Sequence, residues 1–212
     1  MPKQHTTVKR HPERGAYDRA TIDSILDEGL ICHLGFVVDG HPFVIPTIHA
    51  RDGDILYIHG SPGSRMLRTA RDGVDICVTV TLLDGLVLAR SVYNHSMNYR
   101  SVVVLGRARE VTDIDEKLRA MRRVVEHVVP GRWADARRPN DGEIKATTIL
   151  ALPLDEASAK IRSGPPTDDK ADRELSVWAG VIPLGIEPSD PVPDAGVDSP
   201  PPAYAAEYRR LT

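Results

Sequence analysis

Apolar and polar positions change their period several times along the chain. In YDRATIDSILDEG, Ile22, Ile25 and Leu26 fall on one helical stripe, with Asp18 or Thr21 placed to cap its start and Gly29 to end it. Strand-like runs follow at residues 30–38, 41–50 and 55–59, joined by Asp39-Gly40 and by Arg51-Asp52-Gly53-Asp54. Asp-Gly between apolar runs is a strong hairpin signal, so these runs predict an antiparallel meander. SRMLRTAR, between Gly60-Ser61-Pro62-Gly63-Ser64 and Asp72-Gly73, reads as a short helix. Further strands are expected at 74–82, 86–92 and 99–111. DIDEKLRAMRRVVEHVVPG then carries Ile114, Leu118, Met121, Val124, Val125 and Val128 at helical spacing, opening on Asp113 or Asp115 and stopping at Pro130-Gly131. Strands at 144–154 and 177–184, separated by a polar loop at 164–176, complete the pattern. Many short strands with two or three helices predict a mainly β (α+β) fold, a closed or partly closed antiparallel barrel with flanking helices.

Three regions are expected. Residues 1–16 are basic and unpatterned and read as an arm that gains order only on a partner surface. Residues 17–187 form the barrel domain. Residues 188–212 are rich in proline and read as an extended tail that packs on the surface or stays mobile. No internal repeat is visible.

The net charge of −3 lacks the basic excess that binding to a phosphate backbone requires, so nucleic acid is not an expected partner. The N-terminus has no apolar leader, and no run approaches the ~18 apolar residues of a membrane span. The expectation is a cytoplasmic protein with no membrane contact. Cys32 and Cys77, in ICHLGFVV and DICVTV, read as buried hydrophobes rather than a disulfide or a metal pair. Of the eight histidines, His33, His41, His49, His59 and His95 lie on or beside strands and His5 and His11 in the arm. None forms a compact ligand pair of the HExxH kind, and no metal site is expected. GxSxG, P-loop and strand-linked GxGxxG motifs are absent.

The segment from Tyr57 to Arg65, YIHGSPGSR, runs strand, small-residue turn, helix start. A phosphate monoester wants free backbone N–H groups, a hydroxyl and a guanidinium able to donate two parallel bonds. Ser61, Ser64 and Arg65 supply the side-chain part; the alternative is an ordinary loop with Ser64 as cap and Arg65 in solvent. The strand VIPTIHA is the second candidate, since Pro46 lacks a ladder donor and places it at an edge or bulge.

In this order, ERGAYDRATIDSILDEG, HPFVIPTIHARDGDILYIHGSPGSRM, NYRSVVVLGRAREV, SAKIRSGPP and VWAGVIPL make the chain resemble the pyridoxamine 5′-phosphate oxidase superfamily, and more closely its flavin-nucleotide-binding, nitroimidazole-reductase-like branch. The resemblance implies an FMN-binding split β-barrel that works as a homodimer, with FMN at the subunit interface. It puts Pro46, Thr47, Ile48 and His49 on the strand whose backbone meets the flavin ring. It puts His59, Gly60, Ser61, Ser64 and Arg65 around the phosphate. A typical oxidase has Arg-Lys where this chain has Arg65-Met66, so Arg68, Arg100 or Lys160 must supply the second cation. Ser101 falls where the oxidases carry a glutamine on the flavin. Trp178 matches a tryptophan that reaches the cofactor of the other subunit; its plain alternative is a core aromatic. The C-terminal region that holds pyridoxal phosphate in the oxidases has no match after Leu184, which argues against that activity.

Two functions compete on this reading. One is an FMN-dependent oxidoreductase acting on a small organic substrate, with no catalytic acid or base identified and with His49, His59 and His95 as candidate proton donors. The other is a non-catalytic module that holds FMN, haem or a deazaflavin for storage, sensing or transfer. A purely structural barrel with an empty site is the third.

Overall fold

The computed structural model describes residues 5–209. Its ten strands are β1 (Gly15–Ala16), β2 (Ile31–Val38), β3 (His41–Asp52), β4 (Ile55–Gly60), β5 (Asp75–Leu88), β6 (Ser96–Arg107), β7 (Arg109–Glu110), β8 (Thr148–Pro153), β9 (Ala157–Arg162) and β10 (Gly180–Pro183). All pairings are antiparallel, in the order β1-β9-β6-β5-β2-β3-β4-β8-β7, with β10 added on β5. Asp39 and Gly40 both take positive φ, 51° and 77°, which is the hairpin turn the Asp-Gly pair predicts.

The helix α1 (Arg19–Glu28) starts where Asp18 accepts a hydrogen bond from the Thr21 N–H, so Asp18 is the cap. Its stripe of Ile22, Ile25 and Leu26 is almost fully buried, in one core with Leu34, Leu56, Val78, Val102 and Leu152. The helix touches β3, β5, β6 and β9, strands from both sides of the sheet path, and so fills the barrel. Val80 lies 2.3 Å from where a Cβ on Gly29 would stand, so only glycine lets the chain leave the helix this close to β5. The helix α2 (Arg65–Arg71) turns Met66, Leu67 and Ala70 into the same core. The longer α3 (Ile114–Val128) is capped by Asp113, which accepts from the Glu116 N–H, and buries Ala120 and Val124 while Ile114 stays exposed. The short helices α4 (Arg132–Asp135), α5 (Asp141–Lys145) and α6 (Ala203–Ala206) follow. No helix among the described residues is long and apolar enough to cross a membrane.

Four expectations need correction. Residues 74–92 do not hold two strands: β5 runs continuously through a bulge between Leu83 and Gly85, because Asp84 turns to bond Arg100 instead of making a hairpin. Ile144 lies in α5, where Asn140 and Glu143 form a reciprocal capping box, and the strand starts only at Thr148. β9 was not expected as a strand, since Lys160 and Arg162 interrupt its apolar positions. The arm needs no partner surface to be ordered over the described residues: β1 pairs with β9, and the Val8 N–H donates to the Tyr17 hydroxyl at 2.8 Å. In the tail, the Tyr204 hydroxyl donates to Asp135 and the Tyr208 hydroxyl to the Val128 carbonyl. Cys32 and Cys77 are free, and burial pushes the Cys32 thiol up to about 12.

Candidate cofactor site

The barrel opens where β3 changes partners. Residues His41 to Ile48 pair with β2, whereas pairing with β4 begins only at His49↔Ile58 and runs to Asp52↔Ile55. His59 and Gly60 pair with Ile149 and Thr148 of β8 alone. Past Ile58 the two strands therefore part. The edge of β3 away from β2 lies on one side of this split, and His59-Gly60, the Ser61 to Ser64 turn and α2 lie on the other. Directly opposed residues share a face, so buried Cys32 fixes its partner Thr47 as inward-facing, with Ile45 and Phe43 in the same row. Pro46 and Ile48 face outward with His33 and Ile31.

The turn is closed by the Ser64 N–H donating to the Ser61 carbonyl at 2.9 Å, and the Ser61 hydroxyl accepts from the Gly63 N–H at 3.3 Å. The Ser64 side chain makes no capping bond. Gly60 lies so close to α2 that a Cβ would stand 3.0 Å from Leu67 Cδ1. Since α2 buries Met66, Leu67 and Ala70, Arg65 and Arg68 are left outside, three residues apart on one face. The Arg65 guanidinium carbon lies 5.1 Å from the centre of the Phe43 ring, and Phe43 stacks on Phe36 at 5.6 Å. Arg65 thus bridges the split to β3 through a cation–π contact. Among the described residues neither Arg65 nor Arg68 has an ion-pair partner, while the next arginine, Arg71, has Asp72 and Glu110 at 3.8 Å. Met66 is 6% exposed, so that position points into the core and cannot present a cation to the split. Arg68 is the next exposed cation along the helix.

His59 is half-buried beside the turn, and its Nδ1 is buried without a hydrogen-bond partner. Burial pulls its pKa below the ordinary histidine value. The folded chain therefore takes up this proton later than the unfolded chain as pH falls, and the associated stability is present above about pH 6.5 and fades below it. We expect an NMR titration of the His59 ring to give a midpoint below about 6.5; a midpoint at or above that value would contradict the buried, neutral imidazole.

The remaining sequence candidates separate. The ring of His49 is fully buried: its Nε2 donates to the Leu26 carbonyl at 2.9 Å and the ring packs 5.0 Å from His127, so the side chain serves α1 and α3 and only its backbone adjoins the split. Arg100 is not available as a phosphate cation, because two carboxylates hold it: Asp84 accepts from Nε at 3.0 Å and from Nη2 at 2.8 Å, and Glu28 accepts from Nη2 at 2.7 Å and from Nη1. Those bonds, Asp84 first, raise its pKa further. Ser101 and Lys160 lie together, the Ser101 hydroxyl donating to the Lys160 carbonyl at 3.2 Å, in a cavity that none of the split residues lines. Trp178 is not a core aromatic: it is 65% exposed, its ring folded against Gly180. His95 is exposed, Nδ1 donating to the Ser91 carbonyl. Phe43, which carries Arg65, escaped the sequence reading, although its alternation with Ile45 and Thr47 marks it as inward-facing. Among the described residues no three His, Cys, Asp or Glu side chains gather as a metal site.

Residues 18–161 match the family model described as pyridoxamine 5′-phosphate oxidase. The chain belongs to this family. The flavocytochrome Anf3 from Azotobacter vinelandii is 42% identical, with a TM-score of 0.92 and 98% of each chain covered. The FAD and haem binding protein from Mycobacterium smegmatis is 35% identical, with a TM-score of 0.87, covering 90% of this chain and 95% of that one. A putative 5-nitroimidazole antibiotic resistance protein from Bacteroides thetaiotaomicron shares the fold at 24% identity, with a TM-score of 0.57 and 69% and 86% of the two chains covered. No curated protein sequence matches.

Proposed function

We propose that the chain is a flavin-dependent electron-transfer oxidoreductase, holding its flavin in the split as a homodimer and carrying a haem as a second redox group. The observation that carries the flavin reading is the unpaired edge of β3 facing Arg65 and Arg68 across Phe43. Main-chain groups of a strand edge suit the donor and acceptor pattern of a flavin pyrimidine, and two guanidinium groups without carboxylate partners suit its phosphate. Ser64 adds a hydroxyl. A bound flavin supplies hydride or single-electron exchange; the chain orients it, neutralises its phosphate, and offers neutral His59 Nδ1 as a proton-exchanging group beside it. FMN and FAD share the ring, ribityl chain and first phosphate, so these residues serve both. FAD is the version we favour over the FMN of the sequence reading, because the 35% identical relative is named for it.

The haem part rests on the two relatives with the highest identities quoted above and on His33. That imidazole is exposed on the outer face of β2 between Pro46 and Thr79 of the adjoining strands, with Ile31 at 50% exposure and Gly35 next to it along the strand, and Val37 at 56% and Val44 at 63% further along the same face. His33 would hold the iron of a haem laid on this exposed apolar surface, and the haem would supply one-electron exchange. Dimerisation is supported by a separate apolar row, Ile182 against Leu86 against Met97, extended by exposed Val92 and Tyr93 and by Trp178. A second copy covering this row would bring Trp178 to its partner.

The test is purification followed by absorption spectroscopy, acid release of the flavin with chromatographic identification, and mass measurement in solution. A flavin spectrum with a Soret band, released FAD and a mass twice that of the chain are expected. Reduction by a nicotinamide cofactor and reoxidation by a quinone or nitroaromatic would mark turnover; a protein that binds flavin yet passes no electrons is a carrier. A colourless protein that takes up neither added flavin nor haem defeats the proposal, and His33→Ala with an intact Soret band removes His33 from it.

A further inference from the structure

The arm borders a second cleft with basic residues at it. Residues His5 to Arg10 cross the outer face of β6 and β9 and line, with them, an open cleft of about 270 Å³. Lys9, Arg10, Lys160 and His5 are among the residues that line it. Thr6, Thr7, Ser101 and Ser158 also line it, with the Ser101 hydroxyl donating to the Lys160 carbonyl, and most of the lining surface, Val8 and Val103 included, is apolar. Among the described residues no carboxylate lines the cavity, and none of Lys9, Arg10 and Lys160 forms an ion pair. Most other arginines do, Arg51, Arg90, Arg107, Arg109, Arg123 and Arg137 among them. Like charges gathered without a counter-charge repel one another, an arrangement that a bound anion relieves.

The cavity is built into the fold. Pairing of Gly15 with Lys160 fixes the arm on β9, and the bond from Val8 to Tyr17 fixes its approach. The registers Ser101↔Lys160 and Val103↔Ser158 set the floor on one face of the sheet. Thr6 and Ser158 are 5% and 6% exposed, so the arm lies tightly on the sheet. The volume falls just under the roughly 300 Å³ at which pockets for drug-sized molecules begin. A small ligand, or one end of a larger one, fits.

From these observations we infer that the arm pocket binds the anionic end of a small organic molecule, a phosphate monoester or a pair of carboxylates. The source is either a free small molecule or the acidic side groups of a bound cofactor. Isothermal titration of the flavin-loaded, haem-free protein with glycerol 3-phosphate, and separately with succinate, tests it. Saturable binding of at least one probe is expected, weakening as ionic strength rises. Lys9→Gln combined with Arg10→Gln, and separately Lys160→Gln, should each weaken it by about tenfold or more, the scale of a lost charged hydrogen bond. Both arm residues are exposed, so the fold survives their change, and flavin content retained in that variant separates this pocket from the split. If haem loading blocks the probes, the propionates are the anion, and the same variants then weaken haem instead. Failure of the haem-free protein to bind either probe up to about 10 mM, or equal affinity in the variants, overturns the inference.

Discussion

Replacing Arg65 by alanine lowers flavin affinity by about 10- to 100-fold in titrations of the apoprotein followed by flavin fluorescence. The figure follows from the roughly 1.5–3 kcal/mol carried by hydrogen bonds to a charged group, with about 1.4 kcal/mol per factor of ten. Arg65 has no carboxylate to leave unpaired, so the loss falls on the ligand rather than on the fold. What the empty protein forfeits is the contact with Phe43, worth about 0.5–1 kcal/mol at an exposed position. Arg65→Lys keeps the charge without the planar fork and should fall between alanine and the native residue. Arg68→Ala should weaken binding in the same sense, and the double variant more than either. Ser61→Ala should cost less, because the Ser61 hydroxyl already accepts from the Gly63 N–H within the turn. Unchanged affinity in both single arginine variants would remove α2 from the flavin site and with it the observation on which the flavin reading stands.

The barrel was legible because its signals are local. Asp39-Gly40 turns as an Asp-Gly hairpin does, and Asp18 caps α1 where the stripe of Ile22, Ile25 and Leu26 begins. Segments were misread where a distant partner decides their shape. Asp84-Gly85 has the composition of a turn, but Asp84 is drawn to Arg100 on the next strand and Gly85 pairs with both Asn98 and Pro183, so β5 bulges and continues. β9 was hidden because Lys160 points into the arm pocket and Arg162 is buried against Asn98 and the Gly164 and Pro165 carbonyls, positions that look polar in sequence yet alternate correctly in the sheet. The same limit applies to the site. The turn and Arg65 could be read from residue types along one segment. Whether Arg100 was free depended on Glu28, far away in sequence at the end of α1, and no local pattern carries that.

Replacing Arg100 by alanine destabilises the fold by about 2–4 kcal/mol and leaves flavin affinity of the folded protein near the native value. Removing one partner of a fully buried ion pair costs about 3–5 kcal/mol because the other charge stays behind. Here two carboxylates stay behind, but the side chains of Arg100, Glu28 and Asp84 keep 27%, 16% and 32% of their exposure, and solvent screening brings the figure down. For a chain of this length each kcal/mol moves the melting temperature by about 2–4 °C, so a fall on the order of 5–15 °C is expected by calorimetry. Glu28 ends α1 and Asp84 forms the bulge of β5, so the guanidinium ties the helix inside the barrel to the strand on which β10 is laid. Glu28→Gln or Asp84→Asn should each cost less than Arg100→Ala, since each leaves the arginine one carboxylate. Arg100 would instead be a flavin ligand if its loss left the melting temperature unchanged and weakened flavin binding. That outcome would require the clamp to open when the cofactor enters, at the expense of both carboxylates.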